Sequence, residues 1–125
     1  MRRPSSGNTY VAVVDDDESI CRSLARLLRA AGIQAITYSS AEAFLADAKH
    51  PKFDCVVLDI QLPGISGLEL QAQLASRSGG PPIIFITAHD SAQAREQARA
   101  LGCAGFFTKT DSGSDVLDAI RNAVG

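Results

Sequence analysis

The sequence lacks the features by which several common classes of protein are recognised. It has no Trp and only 6% aromatic residues, so its core must be built mainly from Val, Ile, Leu and Ala. None of its apolar runs approaches the roughly 20 residues of a membrane-spanning helix. The N-terminal segment MRRPSSGNT has no apolar stretch after its arginines, unlike a signal peptide. We therefore expect a protein that acts away from membranes.

Cysteine and basic charge are also scarce. The three cysteines, Cys21, Cys55 and Cys103, are widely spaced and form no CxxC or Cys/His cluster. This spacing argues against a disulfide framework or a zinc site and favours a reducing cytoplasm. The formal net charge is -2, from 12 basic and 14 acidic residues. We therefore expect no binding of nucleic acid by this domain itself and no binding to an anionic membrane.

What is present is an alternation of apolar runs and helical patterns. The 125 residues suffice for one domain. Residues 1–9 are polar, and we predict a disordered lead-in there, followed by one folded domain over residues 10–125. Each apolar run is followed by a segment in which apolar residues recur at helical spacing. The five runs that predict strands are residues 10–14, 33–38, 53–58, 82–86 and 104–108.

This order of elements predicts the fold class. Strands that are apolar on both faces and alternate with helices form parallel sheets that are covered on both sides. Right-handed crossovers leave few topologies for such a chain. We expect an α/β fold with a doubly wound, five-stranded parallel sheet of strand order 2-1-3-4-5, the flavodoxin-like (βα)5 arrangement.

Local signals predict where the helices begin and end. Asp17 is expected to cap the first helix, and Gly32 and Gly102 are expected to end two helices. Three pairs with capping-box spacing predict the starts of later helices. These pairs are Ser39 with Glu42, Ser66 with Glu69, and Asp90 with Gln93.

Polar residues end four of the predicted strands. They are the pair Asp15 and Asp16, then Asp59, Thr87 and Lys109. In a parallel sheet these carboxyl ends share one edge, where ligands bind beside the switch point, here between strands one and three. Each residue alone has an ordinary explanation as a turn or cap residue. Their common register favours a functional site.

The chemistry of this set indicates a metal ion and a phosphoryl group. Three close carboxylates repel one another unless a cation lies among them. An all-oxygen set suits Mg²⁺ or another hard divalent ion such as Mn²⁺ better than Zn²⁺. With Lys109 and the ion neutralising phosphoryl oxygens, Asp59 could attack in line and form an aspartyl phosphate.

Four motifs then identify a family. They are VVDDD (13–17), VVLDIQLPGISGLEL (56–70), FITA (85–88) and GFFTK (105–109). In this order and spacing the chain resembles the receiver domain of two-component response regulators, from about Tyr10 to Val124. The resemblance implies that Asp59 is the phosphoacceptor. It also implies that Asp16 ligates Mg²⁺ directly, Asp15 through water, and Gln61 through its backbone carbonyl.

The resemblance also implies a switch. Thr87 matches the hydroxyl that moves to the phosphoryl group, and Lys109 matches its ion-pair partner. Phe106 matches the aromatic residue that turns inward when the threonine moves, whereas we expect Phe107 simply to pack. The change would alter the surface of the fourth helix and fifth strand, and so control an output domain or partner.

Two positions are expected to tune the lifetime of the phosphoryl group. Gln61 and His89 each lie two residues beyond a site residue. His89 could guide or block a water, or it could be an ordinary exposed loop histidine. The other histidine, His50, is interpreted as a surface turn residue.

One departure from the family pattern concerns the residue after the lysine. The family usually has a cis proline there, and this chain has Thr110. A cis bond before a non-proline residue costs about 2.5–4 kcal/mol. We therefore predict a trans bond between Lys109 and Thr110 and a rerouted loop after it.

The implied protein is a signalling phosphoacceptor rather than an enzyme, although it assists its own phosphorylation and dephosphorylation. Its partners would be a sensor histidine kinase or a phosphotransfer protein in the cytoplasm, with a possible homodimer on phosphorylation. An output domain is not among these residues, so the chain is either a single-domain regulator or part of a longer protein.

Three other kinds of protein share part of this pattern. A haloacid-dehalogenase-like phosphatase also uses an Asp nucleophile and Mg²⁺, and Asp15-x-Asp17 imitates its first motif. However, that fold needs an acidic pair on a strand after the lysine, and it leaves Asp59 without a role. A pseudo-receiver without phosphoryl chemistry is disfavoured by the intact acidic set. A flavodoxin is disfavoured because carboxylates after the first strand would repel a phosphate.

Overall fold

Strands and helices alternate along the whole of the described chain. The computed structural model describes residues 8–75 and 80–124. The strands are β1 (Tyr10–Val14), β2 (Gln34–Tyr38), β3 (Cys55–Asp59), β4 (Ile83–Thr87) and β5 (Gly105–Thr108). The helices are α1 (Glu18–Ala30), α2 (Ala41–Ala46), α3 (Gly67–Ala75), α4 (Ala92–Ala100) and α5 (Gly113–Val124).

The predicted lead-in falls mostly outside the described residues. Residues 1–7 of that segment are not among them. Thr9 is already joined to the sheet, because its carbonyl accepts a hydrogen bond of 2.9 Å from the backbone N–H of Gln34. Among the described residues, none of the helices combines the length and the hydropathy of a membrane-spanning segment.

The strands form one parallel sheet in the order β2-β1-β3-β4-β5, which confirms the predicted topology. Neighbouring strands are in register at their carboxyl ends, as in the pairs Val14–Leu58 and Thr87–Thr108. The last residues of the strands therefore share one edge. Because β1 and β3 are adjacent although they are not consecutive, the chain changes winding direction between them at this edge.

The core lies in two layers, one on each face of the sheet. Every residue of β3 and β4 is buried, as expected for central strands covered on both sides. One layer packs against α2, α3 and α4 and includes Phe85, Leu58 and Leu70. The other packs against α1 and α5 and includes Leu28, Ile84 and Ile120.

Two of the predicted helix starts are confirmed. The Asp17 carboxylate caps α1 and accepts hydrogen bonds from the backbone N–H groups of Ser19 and Ile20. Ser66 and Glu69 form the predicted reciprocal capping box of α3, with two hydrogen bonds of 3.1 Å. Gly32 and Gly102 follow their helices with φ of 81° and 85°, the left-handed conformation that ends helices.

The other two predicted helix starts are wrong by one residue. Ser40, not Ser39, caps α2, and Ser91, not Asp90, caps α4. The carboxylates that suggested the earlier positions have partners elsewhere. Glu42 accepts a hydrogen bond of 2.9 Å from the Ile65 backbone N–H. Asp90 binds Arg95 instead.

The cysteines agree with the sequence analysis, whereas His50 does not. Cys21, Cys55 and Cys103 are free, as their spacing predicted, and Cys55 is buried. The interpretation of His50 as a simple surface turn residue is wrong. Its half-buried ring stacks on Phe44 and Phe53, with centroid distances of 5.6 and 4.8 Å. Both phenylalanines belong to the core layer that packs against α2, α3 and α4.

Candidate functional site

Three of the predicted site residues meet at the carboxyl edge of the sheet. Lys109, just after β5, donates hydrogen bonds to Asp15 Oδ1 at 3.0 Å and to Asp59 Oδ2 at 3.2 Å. Asp15 follows β1, and Asp59 is the last residue of β3. The strand order places β1 beside β3, so two carboxylates that are 44 positions apart in sequence share one ammonium group.

Asp16 joins this pair to make a set of three carboxylates. One oxygen each from Asp15, Asp16 and Asp59 lie within 4.8 Å of one another. Asp15 and Asp59 are only 1% and 3% exposed, whereas Asp16 is exposed to solvent. The set is thus anchored in the protein and open on one side.

The set fits a hard divalent cation. Asp15 Oδ2 is buried and has no hydrogen-bond partner. A buried carboxylate oxygen without a partner is costly unless a cation or a donor satisfies it. The donors are all carboxylate oxygens, which suit Mg²⁺ or Mn²⁺. The backbone N–H of Gln61 donates to Asp59 Oδ1 at 3.1 Å, so the Gln61 backbone adjoins this set.

Burial, nearby charges and hydrogen bonds shift the pKa values of Asp15 and Lys109. The pKa of Asp15 is raised to about 6, mainly by burial and in smaller part by the nearby charge of Asp59. The hydrogen bonds that Asp15 accepts from Asp17 and Lys109 oppose this rise. Burial alone would lower the pKa of Lys109, but its bonds to the two carboxylates outweigh burial and raise it. Lys109 therefore keeps its positive charge and partly neutralises the carboxylates of Asp15 and Asp59.

Thr87 lies at the same edge but has other partners. Its side chain is fully buried. Its hydroxyl donates to the His89 carbonyl at 3.2 Å and accepts from the His89 backbone N–H at 3.1 Å. For Thr87 to bind a group on Asp59, these bonds to the β4–α4 loop must first be exchanged.

Phe106 and Phe107 lie on opposite faces of the sheet, as alternation along a strand requires. Phe106 is half-buried and packs on the layer under α2, α3 and α4, with its ring 6.2 Å from that of Phe85. Phe107 packs on the other layer, as expected. Thr87 lies two residues after Phe85 in β4, so it faces the same side as Phe106.

The two positions predicted to tune the phosphoryl lifetime have exposed side chains. Gln61 follows Asp59 in the β3–α3 loop, and His89 follows Thr87 in the β4–α4 loop. Both loops leave the same edge of the sheet. In this exposed position His89 could guide or block a water, or it could be an ordinary loop histidine.

One of the two predictions for the loop after Lys109 is confirmed. The Lys109–Thr110 bond is trans. The chain then makes a tight turn, in which the Asp111 N–H donates to the Thr108 carbonyl at 3.0 Å. The Asp111 carboxylate accepts from the Thr108 N–H at 2.8 Å.

Comparison with known proteins agrees with this geometry. The family model described as "Response regulator receiver domain" matches residues 11–121. The chain belongs to this family. The prediction from the four motifs is therefore confirmed.

Individual response regulators are similar to this receiver domain over most of its length. Response regulator protein TmoT of Ectopseudomonas mendocina is 38% identical over 116 residues, which are 93% of this chain and 53% of that protein. Transcriptional regulatory protein FixJ of Azorhizobium caulinodans is 36% identical over 115 residues, 92% of this chain and 54% of that protein. The chain thus spans about half the length of the curated relatives it matches.

A solved structure of a similar protein has the same fold as this chain. The response regulator receiver protein from Burkholderia phymatum is 42% identical. It aligns with a TM-score of 0.81 over 94% of this chain and 96% of that one.

The phosphatase alternative receives no support from these relatives or from the receiver domain itself. Asp17, the second acid of its supposed motif, caps α1 and also accepts a hydrogen bond of 3.0 Å from the Ser19 hydroxyl. After Lys109, Asp111 lies in a turn, and Asp115 and Asp118 lie in α5. None of these three residues forms an acidic pair on a strand.

Sequence reasoning missed Gly67 of this receiver domain. It is the buried first residue of α3, and a Cβ there would overlap the backbone carbonyl of Asp59. The sequence did contain a signal for this contact, because a glycine directly follows the capping Ser66. Glycine is a poor helix former, so its presence at the start of a helix indicates another requirement, such as close packing. Gly67 therefore allows α3 to approach the strand that carries Asp59.

Proposed function

We propose that Asp59 accepts a phosphoryl group from a phosphohistidine of a sensor histidine kinase or a phosphotransfer protein. The observation that carries this proposal is the position of Lys109, whose ammonium bridges the carboxylates of Asp15 and Asp59. A partly buried lysine held between two strand-end acids is suited to neutralise the oxygens of a transferred phosphoryl group.

The transfer itself needs little covalent chemistry from the protein. An oxygen of the Asp59 carboxylate attacks phosphorus while the phosphorus–nitrogen bond of the donor breaks. The imidazole nitrogen leaves with the bonding electron pair and takes up a proton. Lys109 orients and neutralises the phosphoryl oxygens during this exchange.

A divalent cation belongs to this proposal. Asp15, Asp16, Asp59 and the backbone carbonyl of Gln61 would hold Mg²⁺ or Mn²⁺. The bound ion would supply charge neutralisation for the acids and the phosphoryl oxygens. The partnerless Asp15 Oδ2 supports this assignment.

The response to phosphorylation is proposed to run through Thr87 and Phe106. A phosphoryl group on Asp59 offers new charge-assisted hydrogen bonds to the Thr87 hydroxyl and the Lys109 ammonium. Movement of Thr87 vacates space that the Phe106 ring can fill, since both lie on the face under α4. The resulting population shift changes the surface of α4 and β5.

Membership of the family supports a proposal for the wider role. We propose a folded domain over residues 10–125, preceded by a lead-in at residues 1–9, in a signalling protein of the cytoplasm. It assists its own phosphorylation and dephosphorylation but turns over no other substrate. The phosphorylated domain would control an output domain or a separate partner, either as a monomer or as a homodimer, and would not itself bind nucleic acid or membrane.

The test is formation of a covalent or beryllofluoride adduct. Incubation with acetyl phosphate and Mg²⁺ should add one phosphoryl group, detected by mass spectrometry, and beryllofluoride should shift the amide NMR signals of the site. Asp59→Asn should abolish both, whereas Asp118→Asn, an exposed acid on α5, should abolish neither. An adduct that survives in Asp59→Asn would contradict the proposal. Steady turnover of a phosphomonoester that is lost in Asp15→Asn would favour a phosphatase.

A further inference from the structure

Arg95 of α4 joins the loop after Thr87 to the ring of Phe106. Its guanidinium forms two hydrogen bonds with the Asp90 carboxylate, of 2.8 and 2.9 Å. Its Cζ atom lies 4.6 Å from the centroid of the Phe106 ring, within the range of a cation–π contact. The side chain thus crosses from α4 to β5 and is fixed at both ends.

These contacts complete a continuous path from the site to Phe106. The Thr87 hydroxyl is bound to both backbone groups of His89. The next residue, Asp90, binds Arg95, which lies over Phe106. Each link is a direct contact, and the first of them must break if Thr87 is to bind a phosphoryl group.

We propose that Arg95 is a positioning residue that holds Phe106 in its resting orientation and releases it when Thr87 moves. The inference rests on the proposed function of Thr87 and Phe106 and adds a residue through which the two are coupled. Arg95 touches neither Asp59 nor the phosphoryl group, so it acts on the equilibrium and not on the transfer.

The contact between Arg95 and Phe106 exists in only one of the two states of the switch. The guanidinium can lie over the ring only while Phe106 stays in its present orientation, so the contact stabilises the resting state alone. A side chain that interacts with one state shifts the equilibrium by the free energy of that interaction.

Arg95 differs from an ordinary surface ion pair. Arg95 and Asp90 side chains are each 41% exposed, and isolated pairs at such exposure contribute little. Here the Arg95 guanidinium binds both oxygens of the Asp90 carboxylate, which fixes the orientation of its plane. The Phe106 ring lies against one face of the guanidinium. The neighbouring pair of Arg99 with Glu96 is more exposed, at 71% and 72%, and has a single hydrogen bond of 3.3 Å.

The first experiment measures the beryllofluoride concentration that half-saturates the Mg²⁺-loaded protein, by amide NMR. Arg95→Ala should lower this concentration by about two- to fivefold, the factor expected for an exposed cation–π contact. Arg99→Ala removes the same charge from the same helix and should leave the concentration unchanged. Arg95→Lys, which keeps the charge but not the planar fork, should give an intermediate value. An unchanged or raised concentration in Arg95→Ala, or an equal decrease in Arg99→Ala, would overturn the inference.

A second measurement needs no adduct. In the resting protein the Phe106 ring protons should change their chemical shifts in Arg95→Ala and Asp90→Asn but not in Arg99→Ala. Unchanged ring shifts in Arg95→Ala would reject the contact itself. If the wild-type protein took up no beryllofluoride at all, the proposed function would fail, while the ring shifts would still decide whether Arg95 positions Phe106.

A third variant tests whether the effect passes through the ring. In a Phe106→Leu background, Arg95→Ala should no longer change the half-saturating concentration, because its partner is absent. An undiminished effect in that background would show that Arg95 acts by another route, and the inference would be wrong.

Discussion

Gly67, at the start of α3, lies directly against the backbone of Asp59. A Cβ at this position would overlap the Asp59 carbonyl oxygen and come within 2.8 Å of the Ile60 Cα atom. The Gly67 N–H also donates to the Ile60 carbonyl at 2.9 Å. The helix and the strand that carries the proposed phosphoacceptor are therefore fixed together without an intervening side chain.

Gly67→Ala should lower the free energy of unfolding by about 1–3 kcal/mol, because the atoms it meets are backbone and cannot yield locally. Any relief must displace Asp59, so Mg²⁺ affinity should fall as well. Chemical denaturation and Mg²⁺ titration measure the two effects.

Gly113→Ala is the matched control for this change. Gly113 is also the first residue of a helix, but a Cβ there would meet only the end of the Leu27 side chain, at 3.1 Å. We expect a near-neutral effect on stability. Equal stabilities of the two variants would show that the close approach at Gly67 is unimportant.

Asp15→Asn should stabilise the protein in the presence of EDTA. Burial and the charge of Asp59 disfavour the ionised form of Asp15, as its raised pKa shows. Removing that charge should raise the free energy of unfolding at pH 7.5 by about 1–2 kcal/mol, while the amide oxygen still accepts from Lys109. The same variant should lose most of the stabilisation that Mg²⁺ gives the wild-type protein.

Thermal denaturation with EDTA and with Mg²⁺ checks both parts. Asp118→Asn, an exposed acid on α5, should change neither stability nor the response to Mg²⁺. A less stable Asp15→Asn protein in EDTA would mean that the carboxylate is a net stabilising group, contrary to this account.

Tyr38→Phe should destabilise the protein in a pH-dependent way. The Tyr38 hydroxyl donates to Asp47 Oδ2 at 2.6 Å and lowers the pKa of Asp47. A lowered carboxyl pKa stabilises the fold above the unfolded value of about 3.9, and this stabilisation is lost as the pH falls through the lower folded value. The stability difference between wild type and variant should therefore be largest near neutral pH and shrink below pH ~4.

Denaturation curves between pH 3 and pH 7 measure this difference. Tyr10→Phe removes a hydroxyl elsewhere in the sheet and leaves the Asp47 carboxylate untouched, so any effect it has should not follow the same titration. A Tyr38→Phe deficit that stayed constant across the range would rule out the hydrogen bond to ionised Asp47 as its source.

His89→Ala should lengthen the lifetime of the phosphoryl group by about two- to tenfold, as expected if an exposed imidazole assists the attacking water only weakly. The substitution keeps the backbone groups of His89 that bind Thr87. The decay of radiolabelled phosphoprotein measures the rate. Lys52→Ala, before β3 at the opposite edge of the sheet, should decay like the wild type, and equal rates for all three proteins would reject a role for His89.

Much of the site could be predicted because it depends on strand ends. Asp15, Asp59, Thr87 and Lys109 each stand where an apolar run stops, and parallel strands bring such positions to one edge. Apolar runs and helical spacing are properties of neighbouring residues, so the order of elements was also accessible. The parallel order of the sheet then follows from general rules of handedness.

The errors concern side chains whose partners the local pattern did not indicate. Glu42 looked like part of a capping box, yet it binds the Ile65 N–H, 23 residues away. His50 looked like a turn residue, yet two phenylalanines from different segments enclose its ring. In both cases the local pattern was sound, and a contact formed by folding competed with it.

The amino-acid sequence by itself determined the (βα)5 fold, its family and the residues at the carboxyl edge, since periodicity and strand-end chemistry are local. Only the tertiary structure decided that Gly67 lies against Asp59 and that Arg95 bridges Asp90 and Phe106. The physical reason is that such contacts depend on distances of a few ångströms between separate elements, which packing sets and sequence spacing does not.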